Sequence, residues 1–315
     1  MTTPSTAASA QKQELYEHIV DAFNAIFGSH TGYRAAHAKG IVCVGIFTPA
    51  PAAASLSRAP HFQGGSVPVT VRFSDATGIP NIPDGDPNAS PRGLGIKFHL
   101  PAEVHTDIVA HSHNGFPVGT AEEFLEFLQA VASSGPNASK PTPIEAFLGI
   151  HPRALAFATT PKPAPASFVK ESYYGVHAFK FFNRQEASQF ARYQIHPEEG
   201  EAHLSDAEAA QRPVNFLFDE LYERLSHEPA SLRLVAQLAG AEDPIDDASI
   251  PWPADRRQVE LGSIKVTKVV EDSDAAQRRL IFDPIALVDG IELSNDPLPL
   301  ARSAIYSISY KRRNP

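Results

Sequence analysis

Val67-Pro68-Val69-Thr70-Val71-Arg72-Phe73-Ser74 carries two different patterns on alternate residues. In an extended strand Val67, Val69, Val71 and Phe73 share one face, and Thr70, Arg72 and Ser74 share the other. One face is suited to a core. From the other, a cation and a hydroxyl emerge side by side out of an otherwise apolar ribbon.

Working outward, residues 41–47 are apolar on both faces, as in a strand buried on both sides. Residues 10–28 read as a helix, with Leu15, Ile19, Phe23 and Ile26 at three- and four-residue spacing. Downstream, a Pro/Gly/Asp-rich turn leads to a strand over 91–100. A second strand from residue 107 runs into the polar loop His111-Ser112-His113-Asn114, and a helix follows with Phe124, Phe127, Leu128 and Val131 on one side. The proline-rich stretch 134–168 reads as a surface wrap with short helices. Further strands are expected at 173–182, 190–196, 232–238, 264–270 and 279–282. Ser205 and Glu208 are spaced as a capping box, and Pro213 opens an amphipathic helix. These strands do not alternate regularly with helices, as βαβ units require. The expected fold is therefore α+β, an antiparallel eight-stranded β-barrel with flanking and inserted helices. It forms a single domain over residues 10–315 behind a disordered tail at 1–9.

Acidic residues outnumber basic ones 36 to 27, for a net charge of −9, which argues against nucleic acid or an anionic membrane as partner. No window approaches the roughly 18 apolar residues of a membrane span. The N-terminus has neither the basic nor the apolar region of a signal peptide. The expected location is the cytoplasm, or the periplasm if a leader has been removed. The single cysteine, Cys43, has apolar neighbours and reads as a buried thiol.

The chemistry is spread along the chain. Arg34-Ala-Ala-His37-Ala-Lys39-Gly40 sets one histidine between two cations, just ahead of the first strand. His111-x-His113 alternates as a zinc pair could, but nothing nearby offers a third ligand. Neither a Gly-x-Ser-x-Gly elbow nor a phosphate-binding Gly-x-x-x-x-Gly-Lys loop occurs. At the C-terminus, Arg302, Tyr306, Tyr310 and Arg313 fall on one stripe if the segment is helical. Arg302 then lies one turn from Tyr306, where a guanidinium favours the phenolate form of a neighbouring phenol, and a phenolate can ligate ferric haem. The same segment alternates well enough to be a strand, which would separate the two.

Four of these landmarks, in this order, resemble those of haem catalases: Arg34-Ala-Ala-His37-Ala-Lys39-Gly40, Val71-Arg72-Phe73-Ser74, Pro91-Arg92-Gly93 and Arg302-x-x-x-Tyr306. Tyr173-Tyr-Gly-Val-His-Ala-Phe179-Lys, Trp252-Pro and Phe282-Asp-Pro284 add matches between them. The resemblance runs from about residue 30 to the C-terminus. Longer catalases continue past the tyrosine segment, so the chain is most similar to the short catalase-related peroxidases.

The resemblance implies haem b as cofactor, His37 as distal acid and base, and Tyr306 as the iron ligand supported by Arg302. It implies that Arg34, Arg72 and Arg313 pair with the haem propionates and that Ser74 bonds the distal histidine. Catalases also carry a distal asparagine. An ungapped match puts Ser112 there, whereas Asn114 reaches it only if the loop shifts, and this departure favours peroxidase over catalase turnover. The implied partners are a peroxide and an organic electron donor, with a homodimer as the assembly. An interior free of methionine, Met1 being the only one, suits a protein that handles peroxide. An allene oxide synthase-like hydroperoxide isomerase is the alternative enzyme, although those enzymes carry threonine where Ala36 stands. A non-enzymatic haem- or ligand-binding barrel is the alternative outside catalysis.

Overall fold

The computed structural model describes residues 6–314. Its strands are β1 (Gly40–Pro49), β2 (Val67–Ser74), β3 (Gly93–His99), β4 (His105–His111), β5 (Tyr173–Tyr174), β6 (Phe179–Phe182), β7 (Ser188–Pro197), β8 (Ala230–Leu238), β9 (Gln258–Val269) and β10 (Ile291–Leu293). The helices are α1 (Thr6–Phe27), α2 (Ala53–Leu56), α3 (Ala121–Ala132), α4 (Pro143–Ile150), α5 (Pro152–Thr159), α6 (Asp206–Ala210), α7 (Phe216–His227), α8 (Ser273–Arg279) and α9 (Leu298–Arg313).

All pairings between these strands are antiparallel. The order β7-β5-β4-β3-β2-β1-β9-β8 returns to β7 through a β7–β8 ladder, so eight strands close into a barrel. Closure leaves no free edge on this ring. Strands β6 and β10 extend from β7 as a side annex.

The alternation in β2 divides the molecule. Val69, Val71 and Phe73 point into the barrel, where they join Ile41, Cys43, Phe98, Leu234 and Ile264 in one core. Each such side chain contributes roughly 1.5–3 kcal/mol by leaving water. Arg72 and Ser74 point outward beneath helices. Helix α1 lies against α3 and α9, with Ile19, Val20, Leu128, Ile305 and Ile308 forming a second apolar cluster there. No helix among the described residues is long and apolar enough to cross a membrane.

His61 is buried among Phe47, Phe62 and Phe98, and its Nδ1 has no hydrogen-bond partner. Burial pushes its pKa down to about 3, so the folded state holds it neutral while the unfolded chain protonates near 6.5. Stability linked to this residue is therefore complete above pH 6.5 and is lost as pH falls toward 3. Comparing His61→Phe with the parent by denaturation, the stability difference should move by about 2 kcal/mol in the variant's favour between pH 7 and pH 5. An unchanged difference would contradict this account of the residue.

Three local expectations change. The strand expected at 279–282 does not form: α8 ends at Arg279, and the Leu280 carbonyl that a ladder would use accepts from the Arg34 and Arg313 guanidinium groups. The strand expected at 173–182 breaks between β5 and β6, where Gly175 donates to the Tyr193 carbonyl and His177 turns toward Asp296. The helix placed at Pro213 begins at Phe216. The capping box of Ser205 and Glu208 forms with both of its reciprocal bonds. Helix α1 begins at Thr6, inside the segment read as a tail, and residues 1–5 of that segment lie outside the described residues.

Candidate active site

A cavity lies between the outer face of β2–β4 and helices α1 and α9. Strand register sets its wall. Ser74 pairs with Gly93, and Gly93 with His111, so these three share one face of the sheet; Arg72, Gly95 and Val109 form the next row. A glycine in the middle of the first row is required. A Cβ on Gly93 would lie 2.5 Å from Ser74 Oγ and 2.6 Å from His37 Nδ1. The missing side chain is the slot that His37 enters.

His37 arrives from the loop before β1 with φ of 54°, a left-handed backbone unusual for a residue with a side chain. Its amide donates to the Ala76 carbonyl at 3.0 Å, and its own carbonyl accepts from Arg72 Nη2 at 2.8 Å. Nδ1 lies 3.1 Å from Ser74 Oγ, so Nε2 is the nitrogen left for a ligand. Burial, reinforced by the Arg72 charge, pushes the imidazole down to about 4. It is a neutral base at pH 7.

Arg34, Arg72 and Arg313 meet at one end of the cavity. Arg34 Nη2 and Arg313 Nη2 both donate to the Leu280 carbonyl, and Arg72 donates through Nε and Nη2 to Gln277 Oε1. No carboxylate forms an ion pair with any of the three among the described residues. Burial, with the Arg72 and Arg313 charges adding to it, holds Arg34 well below its usual value, and burial and Arg313 push Arg72 down to about 9. Three guanidinium groups gathered without an ion pair, Arg72 and Arg313 of them buried, are costly. Guanidinium forks of this kind match bidentate carboxylates.

Helix α9 settles the C-terminal ambiguity, and Arg302 stands one turn before Tyr306. Arg302 Nε and Nη2 donate to Tyr306 Oη at 2.9 and 2.6 Å. The third guanidinium nitrogen, Nη1, lies 2.6 Å from His177 Nε2, and His177 Nδ1 lies 2.6 Å from Asp296 Oδ2. Asp296, His177, Arg302 and Tyr306 thus form one chain of hydrogen bonds ending at a phenolic oxygen on the cavity wall. Sequence reasoning gave no role to His177 or Asp296. They lie 119 positions apart and meet only in the fold.

His37, Ser74, Arg34, Arg72, Arg302, Tyr306 and Arg313 all line the cavity. Ser112 and Asn114, expected in the distal pocket, do not. The reason is strand phase: His111 takes the cavity face, and Ser112 Oγ instead accepts from the Arg92 amide at 2.9 Å. His111 was considered above only with His113 as a zinc pair, and no metal-binding group of three such side chains occurs among the described residues. Lys39 bonds Asp84 and the Ile82 carbonyl in a buried network beside Arg92 and Asp75, under the end of β2.

This geometry has relatives. The family profile described as catalase matches residues 17–314. The chain is 37% identical over 302 residues to a catalase-related peroxidase of Synechococcus elongatus, covering 94% of this chain and 88% of that one. A catalase-related peroxidase of Mycolicibacterium paratuberculosis is 34% identical over 300 residues, covering 94% of each chain. A fungal catalase structure superposes with a TM-score of 0.80 at 21% identity, over 90% of this chain and 60% of that one. Barrel, cavity and sequence agree: the chain belongs to the catalase family.

Proposed function

We propose that the chain is a haem-dependent peroxidase acting on hydrogen peroxide or organic hydroperoxides, with weak catalase activity. The observation that carries this reading is one cavity holding both the Ser74-bonded His37 and the Arg302-bonded Tyr306. The relatives at 34–37% identity, named catalase-related peroxidases, support the same activity.

The residues fit haem b. The macrocycle is flat and apolar, and Phe23, Leu94 and Ile305 offer apolar walls. Its two propionates would supply the anions that Arg34, Arg72 and Arg313 lack. Tyr306 Oη, without a carboxylate or carbonyl acceptor of its own, is the oxygen that would ligate iron. When bound, the haem supplies the electrons that break the peroxide O–O bond.

The chain's own residues manage the proton. Ser74 holds Nδ1 of His37, which directs Nε2 into the cavity. The neutral ring would accept the proton from one peroxide oxygen and return it to the oxygen that leaves, one group serving as base and then acid. The hydroperoxide becomes an alcohol and water, or two waters, as two electrons and two protons come from an organic donor. On this reading residues 10–315 act as one haem-binding domain, and two copies pair as a homodimer.

The test is steady-state turnover of the haem-loaded protein with hydrogen peroxide and a phenolic donor. Donor oxidation should exceed oxygen release. Peroxide loss no faster than with free haem would overturn the reading.

A further inference from the structure

His111 is the cavity residue that the mechanism above leaves unused. It stands at the end of β4 in the row Ser74, Gly93, His111, so its side chain lies across the glycine slot from Ser74, on the face where His37 enters. Its Nδ1 is fully buried and has no hydrogen-bond partner. A buried polar nitrogen left unpaired normally costs stability. Nε2 has no protein partner either but is not closed off, so it is the ring nitrogen that a ligand in the cavity can reach. Burial, with Arg302 as the largest charge nearby, holds the ring well below its ordinary pKa, so it offers one N–H donor and one lone pair.

We propose that His111 is a catalytic residue that hydrogen-bonds the hydroperoxide across the pocket from His37, taking the place where the resemblance to catalases calls for an asparagine. This assignment rests on the haem peroxidase reading. A hydroperoxide has one O–H to donate and oxygens that accept. An imidazole can meet either need, as a carboxamide can, while His37 remains the group that moves the proton. Ser112 cannot serve, because its hydroxyl is turned to the Arg92 amide.

The experiment compares His111→Leu and His111→Asn with the parent, all haem-loaded. It reads the cyanide Kd from the Soret band, the KM for hydrogen peroxide, and the thermal midpoint of each apoprotein. His111→Leu should raise the Kd and the KM about tenfold, the loss of one hydrogen bond to a bound ligand. His111→Asn, which keeps a donor and an acceptor, should stay within about threefold. The apoprotein of His111→Leu should unfold no lower than the parent, since no protein partner is lost. Unchanged constants in His111→Leu would overturn the assignment alone. A lowered apoprotein midpoint, with both variants impaired alike, would also overturn it in favour of a structural role. If the parent binds neither cyanide nor peroxide, the haem reading itself falls and takes the assignment with it.

Discussion

Replacing His37 with glutamine should slow the reaction with peroxide by about 10²- to 10⁴-fold, the usual contribution of a positioned acid-base group. Glutamine keeps most of the side chain's bulk and polarity but cannot take up a proton. The left-handed backbone at this position, with φ of 54°, suits histidine better than glutamine, a local cost that leaves the barrel core and Tyr306 untouched, so the fold and the haem content should survive. Because the imidazole is pushed down to about 4, it is protonated only below that pH and can act as a base above it. The parent rate should thus be flat from pH 8 to about 5 and fall as pH drops through about 4. The glutamine variant should lack that fall. Stopped-flow spectra over this range check both points. A variant that reacts at the parent rate would remove His37 from the mechanism.

Tyr306→Phe should have the other large effect, on cofactor binding. The substitution deletes the oxygen that receives both Arg302 donors and leaves those donors without their acceptor. Losing a group that merely supports a metal ligand typically costs 10–100-fold in affinity, and losing the ligand itself should cost more. Haem titration should show Tyr306→Phe weaker than the parent by more than about 100-fold. Arg302→Leu, which keeps the oxygen, should fall in the 10–100-fold range. Equal affinity in Tyr306→Phe would show that the oxygen is not the ligand.

What could be read from the sequence was whatever short-range periodicity encodes. The alternation from Val67 to Ser74 placed Arg72 and Ser74 together on the outer wall, where the cavity lies. Three-and-four spacing found α1, and the polar spacing of Ser205 and Glu208 found the start of α6. Phase was harder to read, because strand side chains alternate every residue. A one-residue slip exchanges the two faces, and the ungapped match that pointed to Ser112 falls one residue from His111, which takes the cavity face. Long-range pairs were not legible at all. The bond from His177 to Asp296 depends on a break between β5 and β6, and the pairing of β7 with β8 that closes the barrel leaves no local mark. Strand 279–282 failed for a related reason, since its backbone carbonyl is used by two distant arginines.

The central claim is that one cavity presents Tyr306 to a haem iron and His37 to peroxide. The most direct test is the optical spectrum of the haem-loaded ferric protein, before and after adding peroxide. The account predicts a spectrum of tyrosinate ligation and a rapid change in the Soret band. A spectrum of histidine ligation, or a Soret band indifferent to peroxide, would contradict it.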